Sequence, residues 1–209
     1  MKFQRDALID VIYERSAIDD RIIFLSSDFG APALDRFRRD RADNFLHLGI
    51  SEQNMIDVAA GLALDGRVVF TYAMAPFVSL RCLEQHKCSS GIMDLPICTV
   101  VAGIGLGYAD SGPTHYATED FACLRALVNS SVYTCADSST ATAVASLLCE
   151  KARFSFVRLD REASHDLAPC LIEDAENGYR ILKTSQNNDG VCVISTGFIS
   201  HRAVEAIEM

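Results

Sequence analysis

The sequence predicts an α/β fold in which a mainly parallel sheet is covered by helices on both faces. Short apolar runs such as residues 21–26 and 96–101 are continuous rather than alternating, which is typical of strands buried on both faces. These runs alternate along the chain with segments of helical period, such as residues 4–15 and 139–151. Strands and helices that alternate in this way predict parallel pairing through helical crossovers.

The first predicted domain spans residues 1–160, and its elements follow one another with short connections. Strands are predicted at residues 21–26, 45–48, 67–72, 96–101, 132–134 and 154–158. Helices are predicted at residues 4–15, from Glu52 to about 64, and at 77–90, 119–127 and 139–151. Asp137 is predicted to cap the last of these helices.

The remainder of the chain is predicted to contain a linker and the start of another domain. Residues 161–178 are polar and acidic without any period, which is typical of a linker. Residues 179–209 then predict two strands, at 179–183 and 191–195, and a helix at 198–208. This order indicates the incomplete start of a second α/β domain.

Composition excludes several classes of function. The 209 residues carry a formal net charge of -9, which argues against a nucleic-acid partner because phosphate binding needs clustered Lys and Arg. The eight cysteines form no Cys-x-x-Cys pair, and the longest apolar run, residues 95–109, is too short and too rich in glycine to span a bilayer. We therefore expect a soluble, cytoplasmic protein with reduced thiols and no membrane association.

The most informative stretch is residues 47–64, HLGISEQNMIDVAAGLAL. It predicts a strand end, a tight turn that uses the freedom of Gly49, and a helix with Ser51 as its N-cap and Glu52 in its first turn. An acid at that position either complements the helix dipole, a contribution of ~0.3–1 kcal/mol, or takes part in chemistry. The apolar positions of this helix form one broad face: Met55, Ile56, Val58, Ala59 and Leu62.

The string GISEQNM followed by AAGLAL resembles the activating-glutamate motif of transketolase-type enzymes, in their pyrimidine-binding domain. The resemblance implies thiamine diphosphate as cofactor, with Glu52 hydrogen-bonded to its aminopyrimidine ring to favour the imino tautomer. Residues 103–115, GIGLGYADSGPTH, are similar to the family's run that ends in Gly-Pro-Thr-His. This similarity implies that His115 lies near the thiazolium carbon and holds substrate oxygens.

Other residues match the family around the cofactor. Phe77 corresponds to the aromatic residue that stacks on the aminopyrimidine, although plain core packing is the alternative, and Leu80 stands at a following helical position. Asp28 resembles an acid in a loop beside the cofactor. His47, at the predicted strand end, faces the cofactor or packs under the helix.

On the substrate side, the candidates are His115, His47, Asp110 and Arg161. Arg161 is the one basic residue that matches the family's contacts to a substrate phosphate. Three other contacts of that kind are replaced: Val101, Ala33 and Met1 or Lys2 stand at their positions. A sugar and a sugar phosphate both remain possible substrates.

The family's metal and diphosphate motif, Gly-Asp-Gly followed by Asn, does not occur in this sequence. The resemblance therefore implies that Mg²⁺ or Ca²⁺ and the diphosphate are held by a partner, an N-terminal transketolase subunit, and that this chain has no metal site. The implied activity is transfer of a two-carbon ketol unit between sugars by a split transketolase. Self-association, as in a heterotetramer, is also implied, because the glutamate helix lies near a two-fold interface in this family.

Two further readings compete with this one. The first is a non-catalytic regulatory or assembly partner, favoured by the absent metal motif and by Val101. The second is a relative within the cofactor class, a subunit like deoxyxylulose-phosphate synthase or like the beta subunit of 2-oxo-acid dehydrogenases. Retention of Glu52 and His115 favours the enzyme over the non-catalytic partner.

Overall fold

The computed structural model describes residues 1–27, 30–167, 172–174, 176–184 and 190–208. Its centre is a six-stranded parallel sheet with the strand order β3-β2-β4-β5-β7-β6. The strands are β1 (Lys2–Phe3), β2 (Ile22–Ser26), β3 (Phe45–His47), β4 (Val68–Met74), β5 (Ile97–Ala102), β6 (Ser131–Thr134), β7 (Ser155–Leu159), β8 (Ala163–Ser164), β9 (Ile172–Asp174) and β10 (Tyr179–Ile181). The α-helices are α1 (Gln4–Ser16), α2 (Leu34–Asp40), α3 (Glu52–Leu64), α4 (Ala75–Val78), α5 (Leu83–Gln85), α6 (Asp120–Leu124), α7 (Ser138–Glu150) and α8 (Ser200–Glu208).

The predicted fold class is confirmed, because helices cover both faces of this sheet. Alternate strand residues point to opposite faces, so that Phe24 and Phe70 join α1, α2 and α7 in one core cluster. Their neighbours Ile23 and Val69 join α3 in the other cluster. The continuous apolar runs of the sequence are therefore explained by burial on two faces.

The chain reverses direction across the sheet between β2 and β4. The connection from β2 to β3 carries α2 on one face, whereas the connection from β3 back to β4 carries α3 on the other face. A parallel sheet opens a crevice at such a switch point, beyond the carboxyl ends of the strands. The segments after β3, β4 and β5 therefore share one edge of the sheet, called here the carboxyl rim.

Several predicted elements differ from the structure. The predicted helix at 77–90 is divided into α4, α5 and a π-helical turn at His86–Ile92, because a turn separates α4 from α5. The predicted strand at 191–195 is absent, as those residues adopt no regular structure. Within the predicted linker, β8 pairs with β1 and β9 pairs with β10, both antiparallel.

The predicted cap of α7 is confirmed, and it also anchors the C-terminal part of the chain. Asp137 accepts a hydrogen bond from the Thr140 backbone N–H at 2.7 Å. Arg180 donates to the same carboxylate at 3.2 and 3.3 Å, and the Leu167 N–H donates to it at 2.9 Å. Further along, the His201 Nε2 lies 3.1 Å from the Ala136 carbonyl oxygen. No helix within the described ranges is both long and apolar enough to cross a membrane.

Candidate active site at the carboxyl rim

Glu52 is the first residue of α3 and lies at the carboxyl rim, as the motif predicts. Gly49 turns the chain from β3 into this helix with φ of 68°, a conformation that L residues with side chains rarely adopt. Ser51 occupies the N-cap position, but its hydroxyl donates to the Leu48 carbonyl oxygen at 2.6 Å and does not cap the helix. The prediction of a Ser51 side-chain cap was therefore wrong, although the helix begins where predicted.

The Glu52 side chain is 6 % exposed and forms an ion pair with Arg81, whose Nη1 lies 2.8 Å from Oε2. Burying a carboxylate is costly unless it is paired, so Arg81 stabilises Glu52 in this position. Within the described residues, no hydrogen bond is formed to the Glu52 Oε1. The ion pair fixes the orientation of the carboxyl group through Oε2.

Phe77 lies on α4, directly after β4, and its partly buried ring connects Arg81 to the next part of the rim. The Arg81 guanidinium carbon lies 4.3 Å from the centroid of the Phe77 ring, a cation–π distance. The Cys82 thiol donates a hydrogen bond to the Phe77 carbonyl oxygen at 3.2 Å, and this bond fixes α4 relative to the turn that follows it. Burial raises the pKa of Cys82 to about 12, so this residue is a thiol donor and not a nucleophile.

The loop after β5 places His115 in contact with Phe77. A short antiparallel bridge between Gly105 and Ala117 closes the loop, with backbone hydrogen bonds of 3.1 and 2.9 Å. Within it, a 3₁₀ turn at Pro113–His115 follows Gly112, whose φ is 85°. The rings of Phe77 and His115 meet edge to face, with centroids 5.2 Å apart.

The same loop continues the series of contacts on the other side of His115. The Tyr108 ring centroid lies 6.5 Å from that of His115, and the Arg161 guanidinium carbon lies 4.5 Å from the Tyr108 centroid. Arg161 also pairs with Asp110, with 2.8 Å between Nη1 and Oδ1. This hydrogen bond holds the pKa of Asp110 below its usual value.

Seven side chains thus form one continuous series of contacts at the carboxyl rim, which we call the rim cluster. Five of its members were predicted as site residues from the sequence: Glu52, Phe77, His115, Asp110 and Arg161. Residues distant in the sequence converge here because each follows a different parallel strand. The other two members of the rim cluster, Arg81 and Tyr108, were not predicted from the sequence.

Arg81 and Tyr108 left weak signals in the sequence. Arg81 stands four residues after Phe77, a separation that brings side chains together on a helix, but the residue predicted for the site in that segment was Leu80. Tyr108 lies inside the glycine-rich loop, and its ring covers Gly103, where an added Cβ would stand 2.0 Å from the Tyr108 Cε2. Gly103 is therefore required by this packing, not by a phosphate.

Three predicted site residues fall outside the rim cluster. His47 ends β3, an edge strand, and is exposed, so the alternative in which it packs under α3 is wrong. Leu80 lies in the turn after α4 and is partly buried. Asp28 lies outside the described residues.

A buried ion pair anchors the far end of the His115 loop. Asp120, the first residue of α6, is fully buried and accepts hydrogen bonds from Arg158 Nε at 2.9 Å and Nη2 at 2.8 Å. Arg158 lies on β7 and also donates to the Thr134 hydroxyl at 3.0 Å. The loop is thus attached to the sheet by a bidentate pair, the strongest geometry for an arginine and a carboxylate.

The rim cluster fits the pyrimidine end of thiamine diphosphate, with a buried carboxylate of fixed orientation beside a partly exposed aromatic ring. Among the described residues, no group of three or more His, Cys, Asp or Glu side chains is placed to hold a metal ion. The fold and this site define a class: an α/β domain that presents a carboxylate, an aromatic ring and an imidazole at a switch point.

Comparisons with known proteins identify the family within this class. The family described as the transketolase pyrimidine-binding domain matches residues 4–165, so the chain belongs to that family. It is 30 % identical over 208 residues to a 6-deoxy-6-sulfo-D-fructose transketolase subunit, SqwH, of Clostridium sp. (strain MSTE9), covering 98 % of this chain and 63 % of the relative. It is 26 % identical over 205 residues to an apulose-4-phosphate transketolase subunit of Phocaeicola vulgatus, covering 97 % of this chain and 64 % of the relative.

Solved structures give the same result for the fold. A split-gene transketolase, in an inactive beta4 tetramer, matches with a TM-score of 0.85 and 26 % identity, over 99 % of this chain and 67 % of that one. The transketolase of Campylobacter jejuni matches with a TM-score of 0.78 and 21 % identity, over 88 % of this chain and 29 % of that one, which supports the fold alone. The chain spans less than two thirds of the length of the curated relatives it matches.

Proposed function

We propose that this chain is the pyrimidine-side subunit of a split thiamine diphosphate-dependent transketolase. It transfers a two-carbon ketol unit between sugars, and it is active only with a partner subunit that holds the diphosphate and Mg²⁺ or Ca²⁺. The observation that carries this proposal is the rim cluster, which joins Glu52 to His115 through Arg81 and Phe77. Support comes from the family and from relatives that are themselves described as transketolase subunits.

Each residue of the rim cluster has a separate proposed role in binding the cofactor or the substrate. Glu52 would hold the aminopyrimidine ring through its carboxyl group and share a proton with it, while Arg81 keeps the carboxyl group in one orientation through Oε2. Phe77 offers its ring as the stacking surface. When bound, thiamine diphosphate supplies the carbanion chemistry of ketol transfer, and the protein supplies placement.

His115 acts on the substrate side of the same site. Its ring is held by Phe77 and Tyr108, and its Nδ1 lies 3.0 Å from the Thr114 hydroxyl oxygen. The opposite nitrogen, Nε2, is then available to bind a substrate oxygen, which orients the sugar for transfer. Asp110 and Arg161 continue toward the far end of the substrate.

The partner arrangement is proposed on the same basis. Two relatives are described as subunits, and one structural neighbour is a tetramer of a split-gene transketolase. We infer an assembly of two copies of this chain with two copies of a partner, in which the partner contributes the diphosphate and metal contacts. The cytoplasm is the proposed location.

Reconstitution tests this function. The chain is combined with a partner subunit that carries the Gly-Asp-Gly motif, and ketol transfer is assayed with thiamine diphosphate and Mg²⁺. We expect transfer by the mixture and none by either subunit alone. A stable complex without transfer, and without proton exchange at the cofactor's thiazolium carbon, would identify a non-catalytic assembly partner instead.

A further inference from the structure

The helix α4 carries Phe77, the proposed stacking surface for the aminopyrimidine, yet it is too short to be stable by itself. It has four residues, and an α-helix leaves its last four carbonyl oxygens without a partner inside the helix. The carbonyl oxygens of Ala75 and Pro76 accept backbone N–H groups of the next turn, at 3.0 and 3.2 Å. Those of Phe77 and Val78 depend on side-chain donors from further along the chain.

Two buried side chains supply these donors. The Cys82 thiol binds the Phe77 carbonyl oxygen, and His86 Nε2 lies 2.8 Å from the Val78 carbonyl oxygen. Val78, Cys82 and His86 are fully buried, so water cannot take the place of either donor. Because a buried carbonyl oxygen that loses its donor is costly, both bonds stabilise the position of α4.

The contact with Val78 fixes where the His86 ring carries its proton. A carbonyl oxygen can only accept a hydrogen bond, so Nε2 carries the hydrogen, and Nδ1 carries none in the neutral ring. Nδ1 is buried and has no hydrogen-bond partner among the described residues. The ring meets Phe156 of β7 edge to face, with centroids 4.8 Å apart. His86 therefore connects α4 to the central sheet, at the start of a π-helical turn, a geometry that is frequent near functional sites.

The connection from His86 to the rim cluster is short, because Val78 directly follows Phe77 and the Phe77 ring contacts both Arg81 and His115. We infer that His86 is a positioning residue for the cofactor. Through the Val78 carbonyl group it fixes the direction of the Phe77 ring, on which the aminopyrimidine stacks. His86 takes no part in the chemistry itself. This inference rests on the proposed function, since it names a residue that shapes the same site.

The first test is NMR on the full wild-type chain without cofactor, so that it depends neither on a variant nor on turnover. The nitrogen chemical shifts of the His86 ring report which nitrogen carries the proton, and the signals are assigned by their loss in His86→Gln. We expect the tautomer with hydrogen on Nε2. The tautomer with hydrogen on Nδ1 would overturn the inference, because that ring cannot donate to Val78.

The second test uses the ring protons of His115, which the ring current of Phe77 shifts at a centroid separation of 5.2 Å. Phe77→Leu removes this ring and gives the unshifted position. His86→Leu, or His86→Met if the leucine variant does not fold, should move the His115 signals most of the way to that position. His86→Gln can still donate an N–H and should keep them near wild type. The matched control is His201→Leu, which removes a similar contact with the Ala136 carbonyl oxygen, 3.1 Å long and away from α4.

The third test uses the assembled complex. His86→Leu should raise the apparent KM for thiamine diphosphate about tenfold, with kcat at saturating cofactor within about twofold of wild type, because Glu52 and His115 are intact. His86→Gln should restore the KM. A merely structural role would instead lower the amount of active complex and leave the KM of the remainder unchanged.

Unchanged His115 signals together with an unchanged KM in His86→Leu would overturn the inference even with normal transfer. Absence of transfer with every sugar would contradict the proposed function. In that case the two NMR tests would still decide whether His86 positions Phe77.

Discussion

At the scale of single residues, two ion pairs with different burial hold the active-site loop. Asp120 and Arg158 form a bidentate pair whose side chains are 0 % and 11 % exposed, whereas Asp110 and Arg161 are 68 % and 44 % exposed. A buried pair that loses one partner leaves an uncompensated charge, but water replaces a partner lost at the surface. Only the first pair should therefore matter for folding.

The prediction is that Asp120→Asn lowers the free energy of unfolding by ~3–5 kcal/mol, because the Arg158 guanidinium remains buried without its counter-charge. Urea denaturation monitored by circular dichroism measures this. Asp110→Asn is the matched control and should leave the unfolding midpoint close to that of the wild type. Equal midpoints for the two variants would show that the buried pair does not anchor the loop.

The sequence predicted some residues of the rim cluster and missed others for a physical reason. Glu52 and His115 were predicted as site residues because each sits in a string that resembles a family motif. The turns in these strings, at Gly49 and Gly112, are encoded locally. Arg81 and Tyr108 depend instead on which side chains meet after folding. A lone Arg or Tyr in a helix or loop carries no local signal for such a meeting.

At the scale of elements, the sheet was predictable and the segment after α4 was not. Strands buried on both faces read as apolar runs, so the predicted bounds of the sheet strands lie within about one residue of the structure, except that β4 overruns its prediction at its carboxyl end, which reaches Met74. The segment 77–90 has helical composition, but it must turn to place Phe77 and Arg81 at the rim. It resumes as a π-helical turn in which Gly91 packs against the Val128 carbonyl oxygen, where an added Cβ would lie 2.9 Å away.

His86, at the start of this turn, is a fully buried titratable group that the proposed chemistry does not use. Its Nε2 lies 2.8 Å from the carbonyl oxygen of Val78, the last residue of α4, and its ring packs on Phe156. Burial lowers the pKa of His86 to about 4. His86 is therefore neutral at pH 7 and donates its Nε2 proton to α4.

This burial predicts a loss of stability in mild acid. In the unfolded chain the pKa of His86 is about 6.5, so below this pH the unfolded chain binds a proton that the folded chain does not bind. The free energy of unfolding therefore falls as the pH drops from about 6.5 toward 4. The total across this window is on the order of 3 kcal/mol, from the difference between the two pKa values. Denaturation at several pH values should show the slope in wild type and in the exposed control His47→Gln, and a reduced slope in His86→Gln. An unchanged slope in His86→Gln would place the acid sensitivity elsewhere.

At the scale of the whole molecule, the proposed function makes this chain one half of a shared active site. The pyrimidine side is built from the carboxyl rim, but the described residues offer no cluster for the metal that would bind the diphosphate. The need for a partner stays a prediction, and it could be expected from the sequence because the Gly-Asp-Gly motif is missing. The identity of the partner and of the sugar could not, since both depend on surfaces outside this chain.

The isolated chain should therefore bind thiamine diphosphate with a Kd weaker than about 100 μM, because the aminopyrimidine ring alone offers few contacts. Calorimetry with Mg²⁺ present measures this, and addition of the partner subunit should tighten binding by orders of magnitude. Low-micromolar binding by this chain alone would mean that the diphosphate site lies within it.

The central claim is that Glu52 activates the cofactor while His115 places the substrate. In the assembled complex, Glu52→Gln keeps the size and hydrogen bonding of the side chain but cannot share an acidic proton. Turnover should fall ~10²–10⁴-fold, the usual scale for a positioned acid–base group. His115→Ala should also lower turnover, but through weaker substrate placement.

Hydrogen–deuterium exchange at the thiazolium carbon of thiamine diphosphate, measured by NMR in the assembled complex, separates these two roles. We expect exchange to be slowed by ~10²–10⁴-fold in Glu52→Gln and to be near the wild-type rate in His115→Ala. Asp57→Asn is the control, an exposed acid on the same helix. If exchange and turnover both survive Glu52→Gln, Glu52 is a buried partner of Arg81 and nothing more.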